Sequence, residues 1–325
     1  MGFVPGDDRV RAMAAPLPLF DTVTVFGGAT FDRIAETGAP PVMGASNPGR
    51  IRRLPGGVGF NVATILARLG IRARFVSRIG RDGDGDTVMA AVRAAGIDTG
   101  GIGISDTLPT AAYQVTLDNG GNLIVGVADM KVFDEITPGV VAPYVASSER
   151  GFRVADANLP AETLAAIAAT AGPDRPLAAL TVSPAKAVKF EPLLDQVTYL
   201  FTNRREASAL LGRPTDAPAS AAELATALAE KGSLAVIITD GGEALAVASA
   251  GSIRTFVPPK VTVRAVNGAG DSFAAGTIAG LVAGGSLDAA VASGMAAAAL
   301  TLTHGSVAAA PFTPGAIRII AEAAP

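Results

Sequence analysis

Apolar residues along this chain recur at two alternating spacings, which predict strands followed by helices. The β-branched run 22-TVTVFGGA-29 predicts a buried strand that ends in glycines. It precedes 57-GVGFNVATILARLG-70, whose apolar residues recur at helical spacing before Gly70. Further strands are predicted at 71–80, 152–160, 197–203 and 234–242. Further helices are predicted at 86–97, 161–172, 204–212 and 219–232. This alternation indicates an α/β fold with a mostly parallel sheet covered on both faces.

One region departs from this alternation. In 110-TAAYQVTLDNGGNLIVGVADM-130, two alternating strands flank 118-DNGG-121, which is a strong hairpin signal. The residues of 42-VMGASNPGRIRRL-54 also favour extended backbone. We therefore predict a small antiparallel sheet, built from about 37–54 and 110–130, beside the main domain. It is either a lid that closes over a site or a surface hairpin.

Composition excludes several classes of function. The chain has 325 residues and a formal net charge of −3, so it offers no basic field for nucleic acid or an anionic membrane. It contains no cysteine, which removes disulfides, thiolate catalysis and Cys-ligated zinc and fits a cytoplasmic protein. Its single histidine, His304, argues against a Ser-His-Asp triad or a multi-His metal site.

The apolar stretches do not predict membrane insertion. The run 289-AAVASGMAAAALTLTH-304 is rich in alanine and is shorter than the roughly 20 apolar residues that a spanning helix needs. Residues 1–20 contain scattered acids and arginines without a continuous apolar core, so they do not form a signal peptide. We interpret 1–20 as a flexible leader, with Met13 as an alternative start, and 21–325 as the folded domain.

Several common ligand motifs are missing or incomplete. The chain has no G-x-x-x-x-G-K-[ST] run and no G-x-G-x-x-G after a strand, which argues against a P-loop and against a dinucleotide-binding site. The run 82-DGDGDT-87 imitates an EF-hand, but Thr87 replaces the required glycine and Arg93 replaces the final glutamate.

Four polar features remain as candidate chemistry. They are 27-GGATFDR-33, 55-PGGVGFNVA-63, 203-NRRE-206 and 266-VNGAGDSFAAG-276. In the last, Gly-Ala-Gly followed by Asp271 is either a tight turn with a helix N-cap or an exposed backbone that holds an anion beside a proton acceptor. Taken singly, each feature is equally compatible with a cap, a turn or a solvated acid.

In this order and on this framework, the motifs resemble the ribokinase-like PfkB family of carbohydrate and nucleoside kinases over residues 21 to 315. The similarity is strongest in 56-GGVGFNVATILARLG-70, 80-GRDGDG-85, 203-NRRE-206 and 268-GAGDSFAAG-276. Within the family the chain is most similar to the pseudouridine kinase branch, in 46-SNPGRIRRLPGGVGFN-61, 128-ADMKVFDEITP-138 and 155-ADANLP-160. The resemblance implies a three-layer α/β/α fold with a mostly parallel central sheet and a small antiparallel β lid.

The resemblance also implies an activity and a catalytic corner. Asp271 would act as the general base that takes a proton from the 5′-hydroxyl of pseudouridine while the γ-phosphate of ATP is transferred. The N–H groups of Ala269, Gly270 and Asp271, next to Gly268, would form the anion hole for the transferred phosphoryl group. Mg²⁺ is the implied metal, held through water by Asn203 and Glu206.

The remaining site residues follow from the same resemblance. The implied sugar-binding residues are Asp32, Gly56, Gly57, Asn61 and Asn158. The lid residues expected at the base are Thr110, Tyr113 and Lys131. The implied nucleotide-binding residues, besides Asn203, Glu206, Gly268 and Gly270, are Thr239, Gly241 and, beside the adenine, Gly294. A homodimer through the lid is the implied assembly.

Two departures from the family pattern leave the substrate and one cofactor open. Ala265 and Val266 replace a polar pair whose first residue, an Asp, helps to hold a monovalent cation in relatives, so potassium activation by that route is doubtful. Phe60 stands where pseudouridine kinases often carry Arg, and its ring either stacks on a base or packs against the lid. The alternatives are a kinase for another nucleoside or a free sugar such as ribose or fructose, and a non-catalytic nucleoside-binding protein.

Overall fold

The structure, a computed structural model, describes residues 20–146 and 150–323. Residues 1–19 of the expected leader lie outside this range. Phe20, the last residue assigned to that leader, is buried, with its ring edge-on to Phe152 at 6.0 Å between ring centroids.

The described ranges contain the following elements. The strands are β1 (Thr22–Phe26), β2 (Thr30–Thr37), β3 (Gly49–Gly56), β4 (Arg72–Gly80), β5 (Asp98–Ser105), β6 (Ala112–Leu117), β7 (Leu123–Asp129), β8 (Phe152–Asp156), β9 (Leu177–Leu180), β10 (Tyr199–Asn203), β11 (Ala235–Thr239), β12 (Leu245–Ser249) and β13 (Ser252–Phe256). The helices are α1 (Val58–Arg68), α2 (Gly83–Ala94), α3 (Pro138–Val145), α4 (Ala161–Ala168), α5 (Pro184–Ala187), α6 (Arg204–Leu210), α7 (Ala221–Ala229), α8 (Ala269–Val282), α9 (Leu287–His304) and α10 (Pro314–Ala323). Two 3₁₀ segments cover Lys131–Glu135 and Val188–Gln196.

The large sheet is mostly parallel, as the alternation of strands and helices predicts. Its order is β13-β12-β11-β10-β9-β8-β1-β4-β5, and the pairings from β11 to β5 are parallel. The last two strands are antiparallel: β12 pairs with β11, and β13 pairs with β12. The carboxyl ends of β1, β8, β9, β10 and β11 therefore meet at one edge, where open α/β sheets bind ligands.

The small sheet consists of two antiparallel pairs joined by one parallel pair. Its order is β3-β2-β6-β7, with β2 and β6 parallel. Strand β2 was not among the segments predicted for this sheet, because Gly27, Gly28 and Ala29 look like the end of one strand rather than a break between two. Asp32 therefore lies within a strand, opposite Leu54 on β3.

The core lies in two layers, one on each side of the large sheet. Successive side chains of a strand point to opposite faces. Val25 of β1 accordingly packs in the layer beneath α1, α8 and α9, whereas its neighbour Phe26 packs in the layer beneath α4, α6 and α7. The fold is therefore the three-layer α/β/α arrangement that the sequence predicts.

Helices α8 and α9 pack closely because small residues face each other. A Cβ on Gly294 would lie 2.1 Å from Oγ1 of Thr277 and 2.6 Å from the carbonyl oxygen of Phe273. A Cβ on Gly276 would lie 2.7 Å from the Ser293 carbonyl oxygen. Within the described residues, no helix has both the length and the hydropathy needed to cross a bilayer.

We expect Gly294→Ala to lower the free energy of unfolding by about 1–3 kcal/mol, because the added methyl group overlaps the backbone of α8. Gly83→Ala is the matched control, since a Cβ at Gly83 meets no atom within 4 Å. Urea unfolding followed by circular dichroism measures both. Equal stability of the two variants would contradict the close packing of α8 on α9.

Candidate active site

Three adjoining cavities lie at the carboxyl edge of the large sheet and meet at the first turn of α8. The lid cavity, about 1240 Å³, is bordered by the small sheet, α1 and Asp271. The connecting cavity, about 210 Å³, is lined by Glu206, Gly270 and Asp271 among others. The outer cavity, about 640 Å³, is lined by Gly241 and Gly270 among others. Asp271 thus borders the first two cavities and Gly270 the last two.

The first turn of α8 presents free backbone N–H groups. The N-cap is Gly268, with φ 78°, and its carbonyl oxygen accepts from the Ser272 N–H at 2.9 Å. The Ala269 N–H is already bonded to the Val266 carbonyl oxygen at 3.3 Å. Among the described residues, the N–H groups of Gly270 and Asp271 have no acceptor. The three-donor anion hole implied by the sequence therefore offers two unengaged donors here.

Asp271 is a buried carboxylate with an unusually high pKa. It is the third residue of α8 rather than its N-cap, and Oδ2 accepts from Nδ2 of Asn61 at 2.7 Å. Burial raises its pKa to about 6, against the lowering effect of the Asn61 hydrogen bond. The nearby carboxylates of Asp156, Asp32 and Glu206 raise it further by charge repulsion. A carboxylate with a pKa near neutrality is suited to general base catalysis.

Asp32 faces Asp271 across the lid cavity, beside the double glycine. Burial raises the pKa of Asp32, and the Thr30 hydroxyl donates to Oδ1 at 2.7 Å. A Cβ on Gly56 would lie 2.3 Å from Oδ2 of Asp32. Gly57, the N-cap of α1, has φ 96°, which L side chains rarely adopt. The glycines are therefore required both for backbone conformation and for the approach of Asp32.

Asp156 is a functional residue that sequence reasoning missed. It ends β8 and is fully buried, and Oδ2 accepts from the N–H groups of Gly28 and Gly59, each at 2.9 Å. Oδ1 accepts from the Asn158 N–H at 2.8 Å. An acid directly after an apolar strand in 155-ADANLP-160 was the available signal. Asp156 fixes the loops on which the substrate-side residues stand.

Asn158 and Phe60 also border the lid cavity. Oδ1 of Asn158 accepts from Nζ of Lys186 at 2.6 Å, and Lys186 lines the same cavity although the sequence analysis did not single it out. Phe60 is 7% exposed and packs in the core layer beneath α1, so its ring serves packing in this structure.

Of the lid residues expected at the base, only Tyr113 lines the cavity. Thr110 is 3% exposed, and its hydroxyl and N–H donate to Asp82 at 2.6 and 2.8 Å. Its hydroxyl also accepts from the Gly80 N–H at 2.9 Å. Lys131 is exposed at the start of a 3₁₀ segment, outside the three cavities. Thr110 therefore anchors the lid, and Lys131 faces solvent.

Asn203 and Glu206 form a reciprocal capping box at the start of α6. Oδ1 of Asn203 accepts from the Glu206 N–H at 3.0 Å, and Oε2 of Glu206 accepts from the Asn203 N–H at 3.2 Å. Oε2 of Glu206 also accepts from the Thr181 hydroxyl, which lowers the pKa of the Glu206 carboxyl group. Burial has the larger effect and raises this pKa. Glu206 also lines the connecting cavity, together with Asn203.

Some of the residues expected to bind the nucleotide line the outer cavity, and one packs between two helices instead. Thr239 and Gly241 line the outer cavity, and Ala269 and Gly270 line its inner end. Gly294 does not line it, because it packs against Thr277. The lining residues that α9 contributes instead are Met295, Ala298, Ala299 and Leu302.

Comparison with known proteins identifies the family of the chain. The family model for pfkB family carbohydrate kinases matches residues 21–313. The chain is 31% identical over 258 residues to a pseudouridine kinase of Escherichia coli, covering 79% of this chain and 82% of that one. It is 28% identical to a ribokinase of Haemophilus influenzae, with 87% and 92% covered.

Solved structures share the fold. A carbohydrate kinase from Agrobacterium tumefaciens is 31% identical, with a TM-score of 0.80, and the match covers 94% of this chain and 98% of that one. A ribokinase from Thermotoga maritima, at 23% identity, has a TM-score of 0.81 with 93% and 100% covered, which supports the fold alone. Because the family model spans most of the chain and the fold agrees, this chain belongs to the pfkB family of carbohydrate kinases.

Proposed function

We propose that this protein is an ATP- and Mg²⁺-dependent kinase that transfers the γ-phosphate to the 5′-hydroxyl of pseudouridine. The observation that carries the proposal is the position of Asp271, which borders both the lid cavity and the connecting cavity and has a pKa of about 6. A hydroxyl in the lid cavity reaches this carboxylate, and a phosphoryl group enters from the connecting cavity.

Asp271 takes the hydroxyl proton as the new O–P bond forms, while the bond between the γ-phosphorus and the bridging oxygen of ATP breaks and ADP leaves. Its pKa near 6 leaves most of the carboxylate ionised at neutral pH while keeping it a better base than a solvated aspartate. Asn61 holds the carboxylate through its 2.7 Å hydrogen bond, so the second oxygen is free to face the hydroxyl. Asp32 then binds other hydroxyl groups of the sugar, because an ionised carboxylate accepts hydrogen bonds only.

The N–H groups of Gly270 and Asp271 stabilise charge on the transferred phosphoryl group. They are unengaged and lie at the positive end of the helix dipole of α8. Gly270 carries no side chain, and a Cβ there would meet no atom within 4 Å, so space is available for phosphate oxygens. Phosphoryl transfer depends mainly on such positioning and charge stabilisation.

The residues at the connecting cavity fit a hydrated Mg²⁺ rather than a fully protein-coordinated one. Within the described ranges, no group of three or more acidic, His or Cys side chains could hold a metal. Glu206 offers one carboxylate oxygen, and Mg²⁺ commonly binds through one or two carboxylates, phosphates and water. When bound, Mg²⁺ would offset the charge of the phosphates beside Glu206.

Pseudouridine is proposed over a free sugar because the motifs at 46–61 and 155–160 are similar to those of pseudouridine kinases. The lid cavity also extends beyond the sugar-binding residues to Ile34, Tyr113 and Met130. Ribose or another sugar is the second candidate, favoured by Phe60 in place of the Arg common in pseudouridine kinases. A non-catalytic nucleoside-binding protein is the third, and it would bind nucleosides without turning over ATP.

Asp271→Asn should lower kcat by about 10²–10⁴-fold, because the amide cannot take the hydroxyl proton. The assay is ADP release from ATP and Mg²⁺ with pseudouridine, uridine, cytidine, adenosine, ribose and fructose. Asp106→Asn, at an exposed surface ion pair, is the control. Full activity of the Asp271 variant would refute the general-base role.

The pH dependence of kcat/KM should show an acidic limb near pH 6, because protonated Asp271 cannot accept the hydroxyl proton. Activity is full above this pKa and falls as the pH drops through it. In Asn61→Leu the limb should move to higher pH, since the hydrogen bond that lowers the Asp271 pKa is lost. An acidic limb at the same pH in Asn61→Leu would show that Asp271 is not the group that titrates.

We further propose a homodimer through the small sheet. Its outer strand β7 exposes Leu123, Val125 and Val127 at alternate positions, with 61%, 52% and 61% of each residue accessible. A strand edge with exposed apolar side chains is a ready site for pairing. The double variant Val125→Lys/Val127→Lys should be monomeric with an unchanged melting temperature, measured by light scattering after size exclusion. A wild type that is monomeric at micromolar concentration would contradict the dimer.

A further inference from the structure

A loop after β9 forms a wall of the site that the motifs did not reveal. Val182 lines both the lid cavity and the connecting cavity, and its φ is 65°. A β-branched residue with positive φ is strained, and such strain is found most often at functional sites. Ser183 and Lys186 follow and also line the lid cavity. The loop and the short helix α5 that follows it therefore bring a cation to the lid cavity.

The Lys186 ammonium is placed in the cavity without a carboxylate partner. It is half-buried, and burial lowers its pKa. Nζ donates to Oδ1 of Asn158 at 2.6 Å, and among the described residues no acid forms an ion pair with it. The negative charge of Asp156, farther away, raises its pKa. An ammonium has three donors and no acceptor, so two N–H groups remain for a ligand.

Asn158 holds Lys186 in place. Because lysine can only donate, the carbonyl oxygen of the Asn158 amide must face it. The amide nitrogen points back over Gly28, and the backbone N–H is bonded to Asp156. The Asn158 side chain therefore acts as a bridge between the buried Asp156 region and Lys186, and Lys186 is the donor presented to the cavity.

We propose that Lys186 recognises the base of a nucleoside substrate by donating a hydrogen bond to one of its carbonyl oxygens, with Asn158 as its positioning residue. This inference rests on the proposed kinase function and names the group that separates a nucleoside from a free sugar. Asp32 and Asp271 are acceptors suited to sugar hydroxyls, whereas Lys186 is suited to an acceptor without a proton. The charges that act on Lys186 are the negative Asp156 and the positive Lys189, and a neutral carbonyl oxygen brings no second negative charge toward the buried Asp156.

Steady-state kinetics of Lys186→Met with pseudouridine and with ribose tests the inference. We expect KM for pseudouridine to rise about 10- to 100-fold, the effect of losing one hydrogen bond from a charged donor. The values of kcat, of KM for ATP and of KM for ribose should change less than about 3-fold, because Met keeps the length of the side chain. Lys186→Arg should recover part of the affinity, since it keeps the charge and the donors.

Lys231→Met is the matched control, because Lys231 lines none of the three cavities and forms an exposed pair with Glu191. Melting temperatures of all variants exclude a loss of fold. An unchanged pseudouridine KM in Lys186→Met, or an equal rise for ribose, overturns the inference while the proposed function stands. A wild type that phosphorylates ribose and no nucleoside overturns both. A preference for ribose 1-phosphate that Lys186→Met abolishes would identify an anion as the ligand of Lys186 and overturn the carbonyl assignment.

Discussion

The arrangement of the site depends on one buried carboxylate. Asp156 accepts hydrogen bonds from the N–H groups of Gly28, Gly59 and Asn158, which belong to the loop after β1, the first turn of α1 and the turn after β8. Burial alone would favour the neutral acid, and the backbone donors oppose that shift. A Cβ on Gly27 would lie 2.3 Å from Oδ2 of Asp156, so the glycines of this edge make room for the carboxylate. Through these bonds Asp156 sets the position of α1, and α1 carries Asn61.

The Asp156 carboxylate also affects the proposed chemistry, because its negative charge repels that of Asp271. Asp156, Asp32 and Glu206 are each held by hydrogen bonds from neighbouring groups, and together they make protonation of Asp271 easier. The Asn61 amide opposes the shift, so the carboxylate stays ionised at neutral pH. The unengaged N–H groups of the α8 turn supply the positive end of the same site. The neighbouring acids and the Asn61 amide thus set the pKa of Asp271, and the free N–H groups of α8 lie beside the same carboxylate.

The sequence predicted the strands and helices better than it predicted which side chains contact a ligand. Alternation of apolar residues was sufficient for the parallel sheet, because strand and helix periods differ. It did not separate β2 from β1, since a glycine break inside one extended stretch looks like the end of a strand. Thr110 and Gly294 were expected at ligands, but Asp82 engages the first and the α8 backbone crowds the second. Motif position alone does not distinguish a ligand contact from a packing contact.

By itself, the sequence determined the family, the order of the layers and the identity of Asp271, Asn61, Asn203 and Glu206 as polar residues at strand ends and helix starts. These are local properties, fixed by residue type and spacing within one element. Only the tertiary structure decided that Asn61 reaches Asp271 across 210 positions of the chain, that Asp156 joins α1 to two loops, and that Lys186 lines the lid cavity. Such contacts depend on how the sheet orders its strands, and no local pattern of residues records that order.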